Sequence, residues 1–322
     1  MAQATAEENR PAPLASPATG GRDATRTDGA LPNLVIIGAQ KCGTTALHYY
    51  LSLHPETSMS RPKELNFFVG DIDPSRVALG TSPGRARKPI GNWSKGVDWY
   101  ANHFSASARV RGEASPVYSS PSFPEVPERM SAVVPEAKLV MMVRDPIERA
   151  VSHWLHTRAE GREPKPIEEA LADPTSIYLG RSRYGAVLAR FLEHYDPSSI
   201  LVVSQEEQLR RRAATVYRVY SFAGLDASFV SPKLVRERNR GESGGGRPAF
   251  LRRLENTRLG RYGYRLPDDV RWAIERVTAP RGRKVERPVV EPDLRARLAE
   301  QLGEDAARFR ELTGRPFSEW SI

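Results

Sequence analysis

The chain is expected to form an α/β fold of three layers, with a central parallel sheet flanked by helices. Three stretches carry that expectation: residues 34–53, 138–154 and 200–222 each pass from a short apolar run into residues at helical spacing. Apolar runs of this kind suit strands buried on both faces, and their alternation with helices points to parallel crossovers.

At 322 residues the chain is long enough for one large domain, and no shift in composition after residue 32 marks a second core. Residues 1–31 are rich in Ala, Pro, Thr and Gly, include Glu7, Glu8 and Asp23, and lack an apolar signal core. They read as a disordered tail preceding a domain over 32–322. No apolar run approaches the roughly 20 residues that span a bilayer. The single cysteine, Cys42, excludes disulfide scaffolds and cysteine metal clusters and fits a reducing cytoplasm. The formal charge of +9, from 48 basic and 39 acidic residues, fits either a soluble arginine-rich surface or a basic cleft for an anion. With no zinc pattern and no basic run interleaved with aromatics, nucleic-acid binding is not expected.

Leu34–Ile37 is β-branched and reads as a buried strand, and Ala46, Leu47, Tyr50 and Leu51 recur as one face of a helix. Between them lies Gly38-x-x-Lys41-Cys42-Gly43-Thr44-Thr45. Such a turn aims backbone N–H groups and the positive end of a helix dipole at one point, so a phosphate or similar anion is its natural occupant. A Walker A loop ends Gly-Lys-Ser/Thr; here the lysine precedes the second glycine. Lys41 can therefore reach over the anion while Gly43 permits close backbone approach and Thr44 and Thr45 add donors. The loop resembles the 5′-phosphosulfate loop of sulfotransferases that use 3′-phosphoadenosine 5′-phosphosulfate (PAPS), particularly the branch that includes the heparan sulfate sulfotransferases. The resemblance implies a P-loop NTPase-like version of the three-layer fold, with the loop on the donor's 5′ end.

His54-Pro55 closes the first helix, and His54 reads as a capping or packing histidine. Lys63-Glu64-Leu-Asn-Phe67-Phe68 follows, in which the aromatics anchor a loop whose charges stay at a cleft. Adjacent opposite charges are ordinarily a surface ion pair of little consequence. The pattern and its distance from the loop nevertheless resemble the catalytic segment of the heparan sulfate branch, which implies Glu64 as general base and Lys63 as a cation beside the transferring group. Residues 70–96 read as an irregular, flexible insertion on the acceptor side. Gly96–Phe104 reads as a short helix packed through Trp99, Tyr100 and Phe104, with His103 structural.

A further strand over 109–112 leads into Gly112-Glu113-Ala114-Ser115-Pro116-Val117-Tyr118. This segment resembles one that lines the family's cleft, where several members carry lysine in place of Ala114. Glu113 reads either as a second acidic site residue or as the buried partner of an arginine.

Lys138–Val143 is a clear strand ending in Arg144-Asp145-Pro146, with a helix beyond. A strand end of this kind lies at the usual ligand edge of an open parallel sheet. It closely resembles the family's 3′-phosphate segment, an Arg-x-Pro followed by serine eight residues after the arginine. The resemblance implies that Arg144 grips the 3′-phosphate in a charge-assisted fork and that Ser152 donates from the helix. The competing reading makes Asp145 a magnesium-binding carboxylate of an ATP-dependent kinase. Arg144 before it and Pro146 after it fit that poorly, and a helix cap suits Asp145 better.

Beyond Thr157 the chain is charged and partly helical. Tyr184–Tyr195 presents Val187, Leu188, Phe191 and Leu192 on one helix face, 200–203 is another strand, and Gln208–Phe222 is a helix ending before Gly224. The family resemblance extends through this region and implies that Tyr184 adjoins the nucleotide. Residues 239–248 form a flexible basic loop in which Arg247 is a candidate phosphate contact; Arg281, Arg283 and Lys284 are rivals for the same duty. The last helix, 292–312, leads to Phe317, Trp320 and Ile322, which tack the C-terminus to the core.

Together these readings imply transfer of the sulfuryl group of PAPS to a hydroxyl or amine of a small-molecule or glycan acceptor, with no metal required. A kinase and a non-catalytic nucleotide-binding protein are the alternatives. The acceptor and the oligomeric state are not legible in the residues.

Overall fold

The computed structural model describes residues 30–71, 91–235 and 286–322. Five strands form one sheet: β1 (Leu34–Gly38), β2 (Thr57–Met59), β3 (Val110–Ala114), β4 (Lys138–Val143) and β5 (Ile200–Ser204). Their order is β2-β3-β1-β4-β5 and every pairing is parallel. All five residues of β1 are buried, as expected of a central strand covered on both faces. The four strands expected from the apolar runs are present, within two residues of the expected ends.

The fifth, β2, was not foreseeable from local pattern. Thr57–Met59 is only three residues long and exists because Thr57, Ser58 and Met59 pair with Val110, Arg111 and Gly112. Gly112 makes room for it: a Cβ there would lie 2.8 Å from the Met59 sulfur.

Ten α-helices accompany the sheet among the described residues: α1 (Thr44–Ser52), α2 (Gly96–Ala101), α3 (Val126–Val133), α4 (Pro146–Ala159), α5 (Ile167–Ala170), α6 (Ile177–Gly180), α7 (Tyr184–Leu192), α8 (Gln205–Arg210), α9 (Arg212–Ala223) and α10 (Pro292–Thr313). The main core joins the strands to α1, α7 and α9, and a second cluster packs α4, α5 and α6 against Leu294, Leu298 and Leu302 of α10. The helix expected over 208–222 is two. Ser204 accepts a hydrogen bond from the Glu207 amide at 3.2 Å and starts α8 directly at the end of β5, while Arg211 leaves helical geometry and separates it from α9.

His54 is buried against Tyr220 and Phe229, and a His103 ring nitrogen meets the Trp99 carbonyl; both are packing histidines. Phe317 and Trp320 are buried against Phe309 of α10, with Trp320 stacked on both phenylalanine rings. No helix among the described residues is long and apolar enough to cross a membrane. The tail over 1–29, most of the 70–96 insertion and the whole of 239–248 lie outside the described residues.

Candidate active site

Parallel strands present their carboxyl ends on one edge, and the segments that leave that edge surround a cleft of about 1090 Å³. The loop after β1 supplies Gln40, Lys41, Gly43, Thr44 and Thr45, the segment after β2 supplies Lys63 and Glu64, and the turn and helix after β4 supply Arg144 and Ser152. Lys41 and Arg144, the two cations expected to grip opposite ends of one nucleotide, thus share a cleft that also holds Glu64.

The loop is shaped for an anion. Gly43 takes a left-handed backbone (φ 89°) as the N-cap of α1, no side-chain cap is formed, and the first turn of α1 carries no acidic residue. The helix terminus is thereby left for an external acceptor. Lys41 is also left-handed (φ 71°), which costs a non-glycine residue about 1–2 kcal/mol, and it lines the cleft. Burial lowers the Lys41 pKa, and the positive charge of Arg144 lowers it further. Both effects disfavour the charged form until an anion arrives.

Arg144 pairs loosely with Glu148, at 3.8 Å. The Glu148 carboxylate is also held by Arg295 of α10, at 3.0 Å, and by Arg287. Asp145 accepts the Glu148 amide at 2.9 Å and caps α4, as expected; its second oxygen accepts the Ser321 amide, which brings the C-terminal segment to the cleft. Lys63 and Glu64 form an ion pair at 2.9 Å, with the Glu64 side chain 49% exposed and that of Lys63 18% exposed. His156, one helical turn beyond Ser152, also lines the cleft. Burial and the nearby Lys41 charge lower its pKa, so its imidazole is neutral at neutral pH.

Three of the residues expected at the nucleotide are not among those lining the cleft. Gly38 is buried away from the cleft, and a Cβ there would lie 2.0 Å from the Ser119 hydroxyl oxygen. Packing on Ser119 therefore requires that glycine. Cys42 is fully buried, with its sulfur 3.5 Å from the Tyr184 hydroxyl, and burial pushes its thiol up to about 11. Tyr184 is itself buried, packed against Phe309 and Trp320. Neither side chain lines the cleft; they form a prop beneath the anion loop. Arg247 and its rivals Arg281, Arg283 and Lys284 lie outside the described residues. Ala114, where relatives of the resembling branch carry lysine, is buried at the end of β3.

A model of the sulfotransferase family matches residues 32–229. The chain belongs to that family. It is 30% identical over 223 residues to the bifunctional heparan sulfate N-deacetylase/N-sulfotransferase 2 of Bos taurus, a match covering 62% of this chain and 23% of that protein. It is 32% identical over 207 residues to the bifunctional heparan sulfate N-deacetylase/N-sulfotransferase 1 of Caenorhabditis elegans, covering 59% of this chain and 22% of that one. The chain therefore spans about a quarter of the length of these curated relatives. Among solved structures, a sulfotransferase from Alicyclobacillus acidocaldarius is similar at 26% identity and a TM-score of 0.64, covering 91% of this chain and 100% of that one.

This sulfotransferase-family cleft also contains residues that sequence reasoning missed. His156 lies four positions after Ser152 and so shares its helix face, a relation legible in the sequence. Gln205 and Glu206 follow β5 at the same sheet edge as the other site segments. Arg287, Arg295, Glu319 and Ser321 reach the cleft only because α10 folds back across α4, and nothing in their local sequence announces it.

Proposed function

We propose that the chain transfers the sulfuryl group of PAPS to a hydroxyl or amine, on a carbohydrate or glycosylated acceptor. The observation that carries this reading is the meeting of Lys41, Arg144 and Glu64 in one cleft at the carboxyl edge of the sheet. Lys41 and the uncapped start of α1 suit the 5′ end of the donor, and Arg144 with Ser152 suits its 3′-phosphate. The acceptor's heteroatom attacks sulfur, the bond between sulfur and the bridging phosphate oxygen breaks, and adenosine 3′,5′-bisphosphate leaves. The acceptor proton passes to the Glu64 carboxylate, whose half-exposed position at the cleft leaves it open to an incoming group. Catalysis consists mainly of positioning and of neutralising charge on the sulfuryl and leaving-phosphate oxygens.

The glycan preference is supported by similarity to the heparan sulfate N-deacetylase/N-sulfotransferases. The test is transfer of labelled sulfate from PAPS to a panel of amino sugars, glycosides, phenols and lipids. Sugar acceptors are expected to be labelled, with loss of label on omission of PAPS. Tight, magnesium-dependent ATP binding with no sulfate transfer to any acceptor would instead favour a kinase.

A further inference from the structure

The segment that carries Lys63 and Glu64 has an unusual anchor, the fully buried carboxylate of Glu113 on β3. No ion pair of Glu113 occurs among the described residues. The carboxylate is met by hydroxyls: Tyr118 donates to it at 2.8 Å, Ser115 at 2.7 Å and Tyr100 at 2.5 Å. The Leu65 amide approaches it at 3.4 Å. Glu113 is thus neither a cleft residue nor the partner of an arginine.

The polarity of this cluster matters. A carboxylate accepts only, so Ser115 and Tyr118 must spend their O–H groups on it and turn their lone pairs outward. Those lone pairs accept the next amides of the Glu64 segment: Asn66 donates to the Ser115 hydroxyl at 3.0 Å and Phe67 to the Tyr118 hydroxyl at 2.9 Å. The Phe68 amide lies 3.5 Å from the same hydroxyl. On the other side of Glu64, the Lys63 carbonyl accepts from the Ala114 amide at 3.2 Å and from the Ser60 hydroxyl at 3.1 Å. The backbone on both sides of Glu64 is therefore tied to β3 and its turn, while the Glu64 side chain projects into the cleft. Burying a carboxylate without a cation is expensive, and burial raises the Glu113 pKa despite its donors.

We infer that Glu113 is a positioning residue for sulfuryl transfer: through Ser115 and Tyr118 it fixes the polarity of a hydrogen-bond relay that holds residues 65–68, and with them the Glu64 carboxylate, at the cleft. The inference rests on Glu64 as the base. The nucleotide grips lie on other segments, after β1 and after β4, so the relay acts on turnover and not on donor binding.

The experiment compares Glu113→Gln, Tyr118→Phe and Glu64→Gln with the double variant Glu113→Gln/Glu64→Gln. It measures sulfate-transfer kcat, affinity for adenosine 3′,5′-bisphosphate, and hydrogen exchange at the amides of 65–68. Glu113→Gln and Tyr118→Phe are expected to lower kcat about tenfold or more, to accelerate exchange at these amides, and to leave bisphosphate affinity within about twofold. In the Glu64→Gln background the Glu113 substitution is expected to cost less than about twofold, because it acts through that residue. Tyr118→Phe, which keeps the ring, decides the matter if Glu113→Gln does not fold. Unchanged exchange at 65–68 in the folded variants, or a full additional loss of kcat in the double variant, overturns the relay. Wild-type turnover by Glu64→Gln alone removes the base and the positioning role with it, whereas accelerated exchange with a normal Glu64 dependence upholds both.

Discussion

Replacing Arg144 by alanine removes the cation assigned to the 3′-phosphate, and the structure sets the size of the expected loss. Arg144 meets Glu148 at 3.8 Å, while Arg295 and Arg287 hold the same carboxylate. Glu148 therefore stays compensated when Arg144 turns toward a ligand, and little of the new interaction is spent on breaking the old one. Two unit charges about 4 Å apart interact by roughly 4 kcal/mol at an effective dielectric of about 20. Truncating one partner of a hydrogen-bonded charge pair costs about 2–5 kcal/mol. With the side chain 19% exposed, the lower half of that range applies, or about a hundredfold in affinity at 1.4 kcal/mol per decade.

The assay is calorimetry at fixed ionic strength, with adenosine 3′,5′-bisphosphate and with adenosine 5′-phosphate, which lacks the 3′ group. The bisphosphate is expected to lose about a hundredfold and the monophosphate less than about threefold. A pH series adds an independent check. In the proposed mode Lys41 binds the anion as a cation, and because its pKa is lowered, affinity is expected to fall as pH rises through that depressed value. Arg144 is the second cause of the depression, after burial, so Arg144→Ala should shift this alkaline loss to higher pH even as overall affinity drops. Equal losses for both nucleotides would refute the assigned contact.

Lys41→Ala and Glu64→Gln are each expected to lower sulfate-transfer turnover by at least about a hundredfold, but only the first should weaken binding of the bisphosphate. Fluorescence titration alongside the transfer assay separates the two. Glu148→Gln removes a negative charge that lines the cleft, and tighter bisphosphate binding, by roughly three- to tenfold, is the expected result of a salt-dependence titration. Gly185→Ala would put a Cβ 2.6 Å from the Asp305 carbonyl oxygen, where α7 crosses α10. That should cost about 1–3 kcal/mol of stability, read as a lower urea midpoint.

Much of the site could be read without the fold. The glycine-bracketed loop, the Arg144 turn and the cap at Asp145 are local devices, since a helix start and a backbone turn depend on residues a few positions apart. What stayed hidden depends on distant contacts. Tyr184 and Cys42 were expected at the nucleotide, yet the two meet each other 142 positions apart and prop the loop from beneath. Glu113 left two roles open because nothing in its neighbourhood foretells that Tyr100 and Tyr118 both turn toward it.

Taken alone, the residues determined the parallel α/β class, four of the five strands, and the places of the two segments proposed to grip the donor, because burial periodicity and backbone geometry are written over short stretches of chain. The tertiary structure decided the rest: that β2 pairs at all, that Lys41, Arg144 and Glu64 face one cleft, and that Arg287 and Arg295 reach its rim. These depend on which surfaces the chain buries against each other, and that choice belongs to the packed whole and not to any window of sequence.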